Sequence, residues 1–196
     1  MKQTFFALLL AIALGTSAAH AQASDMFGGS ATQGQATNIF DAARADDVKT
    51  VQALLDKKAD INQVDESGYT ALTLASYNGS PNVVALLLKD GASTEITDPM
   101  GRTALMAASF QGDAQSLKQL LDHGAKVNVI DANGATSLMY AVEFGRKAVI
   151  KPLLDAKADP TIKDKRGMSA LSIAQGQGDA ELVKMLTDAA AAKPAN

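Results

Sequence analysis

Apolar residues recur along this chain with two superimposed periods. Over short stretches they fall three and four apart, the spacing of one buried helix face. Over longer stretches the whole pattern returns every 33 residues. Residues 65–97 read DESGYTALTLASYNGSPNVVALLLKDGASTEIT, residues 98–130 read DPMGRTALMAASFQGDAQSLKQLLDHGAKVNVI, residues 131–163 read DANGATSLMYAVEFGRKAVIKPLLDAKADPTIK, and Asp164 opens a further copy. Counting from each leading Asp, position 8 holds Ile39, Leu72, Leu105, Leu138 and Leu171, and position 11 holds Ala42, Ala75, Ala108, Ala141 and Ala174. Position 20 holds Val51, Val84, Leu117, Ile150 and Val183, and position 23 holds Leu54, Leu87, Leu120, Leu153 and Leu186. A small residue at position 11 lets helices approach closely. One copy is too small to bury these side chains alone, so stacking of neighbours must supply the core.

The polar positions supply the punctuation. Position 4 is Gly68, Gly101, Gly134 and Gly167, which with the leading Asp predicts a tight turn. Position 6, Thr37, Thr70, Thr103, Thr136 and Ser169, offers a hydroxyl to cap a first helix. Position 15, Asp46, Gly79, Gly112, Gly145 and Gly178, suits a left-handed helix end. Position 16 then offers Asp47, Ser80, Asp113 and Asp179 as caps for a second helix, with Arg146 as the exception, and Pro81 sits at the first helical position. Two short antiparallel helices per copy follow. Pro152, inside the second helix of the fourth copy, should remove a backbone bond and kink it.

This combination of period, D-x-x-G-x-T turn, glycine and V-x-x-L-L motif resembles the ankyrin repeat. The resemblance covers residues 36–190 and implies an all-α solenoid of about five helix–turn–helix units joined by β-turn tips: 32–64, 65–97, 98–130, 131–163 and 164–196. The end units depart as caps should, with Gln35 for the turn glycine and Thr187 for the leucine at position 24. The T-P-L-H motif of the family becomes TALT, TALM, TSLM and SALS here, so the bond its His makes to neighbouring backbone is not expected.

Ankyrin arrays bind proteins through the turn tips and the inner face of the first helices. The resemblance therefore points positions 2, 3, 5, 13 and 14 into the groove. The protein-binding candidates among them are Tyr69, Tyr77, Met100, Arg102, Phe110, Phe144 and Met168. In a chain with no Trp and three Tyr, the aromatics of three consecutive units, Tyr77, Phe110 and Phe144, are the feature most suggestive of an interface anchor. The competing expectation is that they cover the inner edge of the core. Tyr140, at position 10, is expected in the core.

The ends of the chain change the picture. Lys2, the apolar run Phe5–Leu14 and the A-x-A site Ala19-His20-Ala21 read as an export signal at 1–21 cleaved after Ala21. Residues 22–35 are rich in Gly, Ser, Gln and Ala and read as a flexible leader, and 191–196 as a disordered tail. The chain has no Cys, which excludes a lipid-anchored lipoprotein and disulfides. A soluble, monomeric periplasmic protein with no membrane anchor is expected.

Charge and candidate chemistry narrow the function. Cleavage removes Lys2, so 17 Lys and Arg stand against 21 Asp and Glu, and the net charge goes from −3 to −4. That is no nucleic-acid footprint. The ladder Asp65, Asp98, Asp131 and Asp164 is read as turn-forming rather than metal-binding. His123 is the one His of the mature chain, and alone it makes neither a zinc site nor a nucleophile pair. GGSATQG at 28–34 lacks the Lys of a phosphate loop, and Glu181 breaks any dinucleotide fingerprint after Gly176 and Gly178. No catalytic residue, cofactor or metal is expected. Among exported bacterial proteins of this family some accompany catalases and support peroxide resistance, and others look like immunity proteins that neutralise a delivered toxin. The resemblance implies one of these, or a structural array without a tight partner.

Overall fold

A computed structural model of the chain describes residues 38–192. Ten helices run through them in pairs: α1 Ile39–Arg44 and α2 Val48–Asp56, α3 Ala71–Asn78 and α4 Pro81–Lys89, α5 Ala104–Gln111 and α6 Ala114–Asp122, α7 Ser137–Glu143 and α8 Lys147–Asp155, α9 Ala170–Gln177 and α10 Ala180–Ala191. The odd-numbered helices pack side by side in one row, and α2, α4, α6 and α8 pack in a second. Each pair is a unit that shares its hydrophobic surface with its neighbours.

Local chemistry explains each element. Thr70, Thr103, Thr136 and Ser169 all accept a hydrogen bond from the backbone three residues on, and each caps its helix. The first unit differs: Asn38 caps α1 through Asp41 N–H, and Thr37 lies outside the described residues. Asp46 takes the left-handed conformation at φ 53°, as Gly79, Gly112, Gly145 and Gly178 do at the same register. Asp47, Asp113 and Asp179 cap the second helices.

Ser80 is a correction. It occupies the cap position of α4, but its side chain does not cap the helix. Asp46 of the preceding unit does so instead, accepting from Val83 N–H at 2.9 Å and from Asn82 Nδ2 at 2.6 Å. The Ser80 hydroxyl turns back to the Arg44 carbonyl at 3.4 Å. Helix α8 is continuous through Pro152, so the proline costs one backbone bond without ending the helix. At the C-terminal side α10 extends to Ala191, one residue into the stretch expected as tail.

The core follows the period. Leu72, Leu105 and Leu138 at position 8 and Leu87, Leu120 and Leu153 at position 23 are buried, as are all five alanines of position 11. At the last described unit Leu171 and Val183 are only partly buried, because no further unit among the described residues covers them. Thr187 is exposed there and donates to the Val183 carbonyl at 2.8 Å.

The tips are built by the leading aspartates. One carboxylate oxygen, Oδ1, accepts two backbone N–H groups of its own turn in every copy: Ser67 and Tyr69 on Asp65, Met100 and Arg102 on Asp98, Asn133 and Ala135 on Asp131, Arg166 and Met168 on Asp164. Adjacent tips are tied by Ala132 N–H donating to the Met100 carbonyl at 2.8 Å and Lys165 N–H to the Asn133 carbonyl at 2.9 Å. Where a next tip stacks on it, this leaves room only for glycine at position 4. Gly134 has φ +80°, and a Cβ there would lie 3.0 Å from Asp164 Cα of the next tip.

Candidate functional site

The second carboxylate oxygen of each tip aspartate reaches a different partner, and this variation marks out one face. Asp65 Oδ2 accepts from Arg44 at 3.0 Å, Asp98 Oδ2 from Arg102 Nε at 2.7 Å, Asp131 Oδ2 from the Tyr140 hydroxyl at 2.7 Å and Asp164 Oδ2 from Arg166 Nε at 2.8 Å. These bonds account for the aspartate ladder as structure. Among the described residues no cluster of His, Asp and Glu could hold a metal ion.

Along the first helices and tips of units two to four, five aromatic rings form a continuous row. Tyr69 meets Tyr77 edge-on at 6.3 Å between centroids, and Tyr77 meets Phe110 edge-on at 6.0 Å. Phe110 packs on Phe144 at 4.6 Å and on Tyr140 at 6.5 Å, while Tyr140 and Phe144 stack with an interplanar angle of 14° at 6.4 Å. Edge-to-face rings at these distances gain stability beyond their buried area, about 0.5–1.5 kcal/mol a pair. All five are half-buried. They pack on one another above the core, and none is a member of the fully buried set.

The row brings together five of the seven candidates: Tyr69, Tyr77, Arg102, Phe110 and Phe144. Met100 and Met168 stand on the adjacent tips, Met100 44% exposed and Met168 half-buried, with their backbone N–H groups on the tip aspartates. Tyr140 is the residue that sequence reasoning misplaced. At its register the other internal units bury Leu74 and Ala107. A tyrosine is too large for an alanine-sized slot, and its hydroxyl needs a partner. The ring therefore turns outward to Asp131 and joins the row. Its i, i+4 relation to Phe144, which puts both on one helix face, is the sequence signal that identifies it.

Arg102 is held within the row on three sides. Its guanidinium carbon lies 5.3 Å from the Tyr77 ring centroid, a cation–π contact. Nε and Nη2 both reach Asp98, and Nη2 also donates to the Tyr69 hydroxyl at 3.0 Å. Burial works against its charge, but Tyr77 and the Asp98 carboxylate outweigh that, so its pKa lies above the ordinary arginine value. Burial likewise pushes the Tyr77 phenol well above the ordinary value, against the opposing influence of Arg102. The Tyr140 phenol is raised by burial first and then by its bond to Asp131. Both hydroxyls therefore stay protonated near neutrality, so the row presents neutral rings and one fixed cation whose charge Asp98 balances.

A residue from the next unit supports the row. Arg146 Nε donates to the Phe110 carbonyl at 2.8 Å, at the end of α5. In the following unit Gln177 Nε2 does the same to the Val142 carbonyl at 3.1 Å. Both satisfy carbonyls that a helix end leaves without a partner.

An array of stacked helix pairs with polar tips and an aromatic face, and with no metal-holding cluster among the described residues, defines a scaffold that presents a surface. A family model described as "Ankyrin repeats (3 copies)" matches residues 8–98, 39–131 and 90–164, and the chain belongs to the ankyrin-repeat family. Ankyrin repeats are, in general, protein–protein interaction modules, and the family is typically non-enzymatic. Among curated proteins, the mitochondrial disaggregase of Bos taurus is 43% identical over 54 residues. That stretch is 28% of this chain and 8% of the disaggregase, so the similarity is to a short piece of a far longer protein.

Proposed function

We propose that this chain is an exported interaction module that binds a partner protein in the periplasm through the aromatic row and adjacent tips, the face that is concave in this family. The observation that carries the reading is the row itself. Five rings and a locked arginine lie side by side on the face the family uses, each partly exposed, and the described glycine tips and helix caps hold them in place. Aromatic and arginine side chains fixed before contact lose little entropy on binding and are the side chains most enriched at interface hot spots. Export rests on Lys2, the Phe5–Leu14 run and the Ala19-His20-Ala21 site. No helix among the described residues is long and apolar enough to cross a membrane.

The partner we favour is a periplasmic catalase or another component of peroxide resistance. Toxin neutralisation, the second reading, relies on strong charge complementarity. Part of the surface charge here is spent on local pairs such as Lys118–Asp122, Lys151–Asp155 and Lys184–Asp188, and the net charge expected of the cleaved chain is only −4.

The test is capture from periplasmic extract on immobilised mature protein, beside the Phe110→Ala, Phe144→Ala double variant, followed by titration with the captured protein. The variant should bind at least about 30-fold more weakly, roughly 2 kcal/mol. Its melting temperature should fall less than that of Leu120→Ala. A variant that loses stability first, and binds normally in its folded fraction, would move these rings from interface to core.

A further inference from the structure

The direction in which Arg102 is held indicates what lies on the row when a partner is bound, an inference that rests on the reading just proposed. Nε and Nη2 are spent on Asp98 and Tyr69, and the guanidinium carbon lies over the Tyr77 ring. Nη1 has no hydrogen-bond partner among the described residues, and the side chain keeps 17% of its surface exposed. A donor is thus fixed in the middle of an apolar row with nothing to donate to.

We propose that the row receives an extended, centrally uncharged segment of the partner, with a main-chain carbonyl oxygen on Arg102 Nη1 and apolar side chains on Phe110 and Phe144. Two arguments select this occupant. Asp98 already neutralises Arg102, with its carboxylate oxygen 2.6 Å from Nη2, so the free donor favours a neutral acceptor. A helix spends its interior carbonyls on its own backbone, whereas an extended segment offers them outward.

The tips orient the segment. Glu66 and Lys165 occupy position 2 of the second and fifth units, both are exposed, and neither forms an ion pair among the described residues. Three packing steps separate them, roughly 24–30 Å at the usual spacing of neighbouring helices. About eight steps of extended chain span that distance. A basic residue of the segment therefore belongs toward Glu66, and an acidic one eight or so residues away toward Lys165.

The probe is a fluorescein-labelled, end-capped nonapeptide with lysine first, glutamate ninth and an apolar, proline-containing centre. It is titrated against the mature chain by anisotropy. Saturable binding is expected, weakened at least tenfold by a glutamate at the centre of the peptide, by Phe110→Ala and by Arg102→Lys, since an ammonium cannot hold Asp98 and Tyr69 while still donating outward. Lys165→Glu, an exposed change, should reverse the preference between this peptide and one with lysine at both ends. The inference is overturned by absence of binding at millimolar peptide, by binding indifferent to Arg102→Lys and Phe110→Ala in folded variants, or by preference for the central carboxylate. If the peptide fails while capture of a partner still depends on the rings, this inference alone falls. If neither depends on the rings, the proposed function falls with it.

Discussion

Gly112→Ala is expected to cost more than the same change at Gly145, although both glycines end a first helix in the left-handed region, at φ 81° and 64°. Each change pays the backbone term for a non-glycine residue there, about 1–2 kcal/mol. At Gly145 nothing lies within 4 Å of the added methyl. At Gly112 the methyl would sit 2.9 Å from Arg146 Cδ and 3.3 Å from its Cβ and Cγ. The arginine can swing away, but then its Nε leaves the Phe110 carbonyl, and a hydrogen bond to a charged donor contributes ~1.5–3 kcal/mol. Gly112→Ala should therefore cost about 2.5–5 kcal/mol against about 1–2 for Gly145→Ala. Urea denaturation followed by circular dichroism at 222 nm measures both. In an Arg146→Ala background most of the excess at Gly112 should disappear, because the 2.9 Å contact with Cδ and the bond are both gone and only the 3.3 Å contact with Cβ remains. Equal costs at the two glycines, or an excess undiminished by Arg146→Ala, would refute this reasoning.

Other consequences are more local. Leu87→Ala and Leu120→Ala, both fully buried, should each destabilise by about 2–5 kcal/mol in the same melts. Tyr140→Phe strips Asp131 Oδ2 of its donor and should cost ~1–3 kcal/mol by urea titration, although the ring remains. Acid should weaken the fold through Asp164. Burial raises its pKa, but the Met168 and Arg166 backbone bonds and the Arg166 side chain outweigh this and hold it below the ordinary 3.8. With the folded pKa depressed, its contribution is complete above pH 3.8 and is lost as pH falls below that value, so Asp164→Asn should flatten the pH dependence of the melting temperature there. Mass spectrometry of the exported protein should show an N-terminus at Gln22, and retention of Met1–Ala21 would contradict the export reading.

Features set by neighbours within a few residues could be read from the sequence. The tip turns, the threonine caps and the left-handed glycines depend on one side chain and the backbone beside it, and their 33-residue recurrence gave the register of the core. What could not be read lies between units. Asp46 caps the helix of the next unit 37 residues on, displacing Ser80 from that role. Arg146, which has no acceptor with which to cap its own helix, sends its side chain to Phe110, 36 residues back, a bond the linear pattern does not show. Tyr140 looks like core by register and is aromatic surface by size. Each depends on which side chain of an adjacent unit happens to fill or vacate the space, information a linear pattern does not carry. The binding candidates show the same division: position within the repeat placed Tyr77, Phe110 and Phe144 on one face, but only stacking shows that their rings touch and that Arg102 is locked among them.

Hydrogen–deuterium exchange on the mature chain with and without its captured partner tests the central claim most directly. Protection concentrated in α3, α5, α7 and the tips at 65–69, 98–102 and 131–135, with α4, α6 and α8 unchanged, is the predicted result. Protection confined to the second-helix row would contradict the claim.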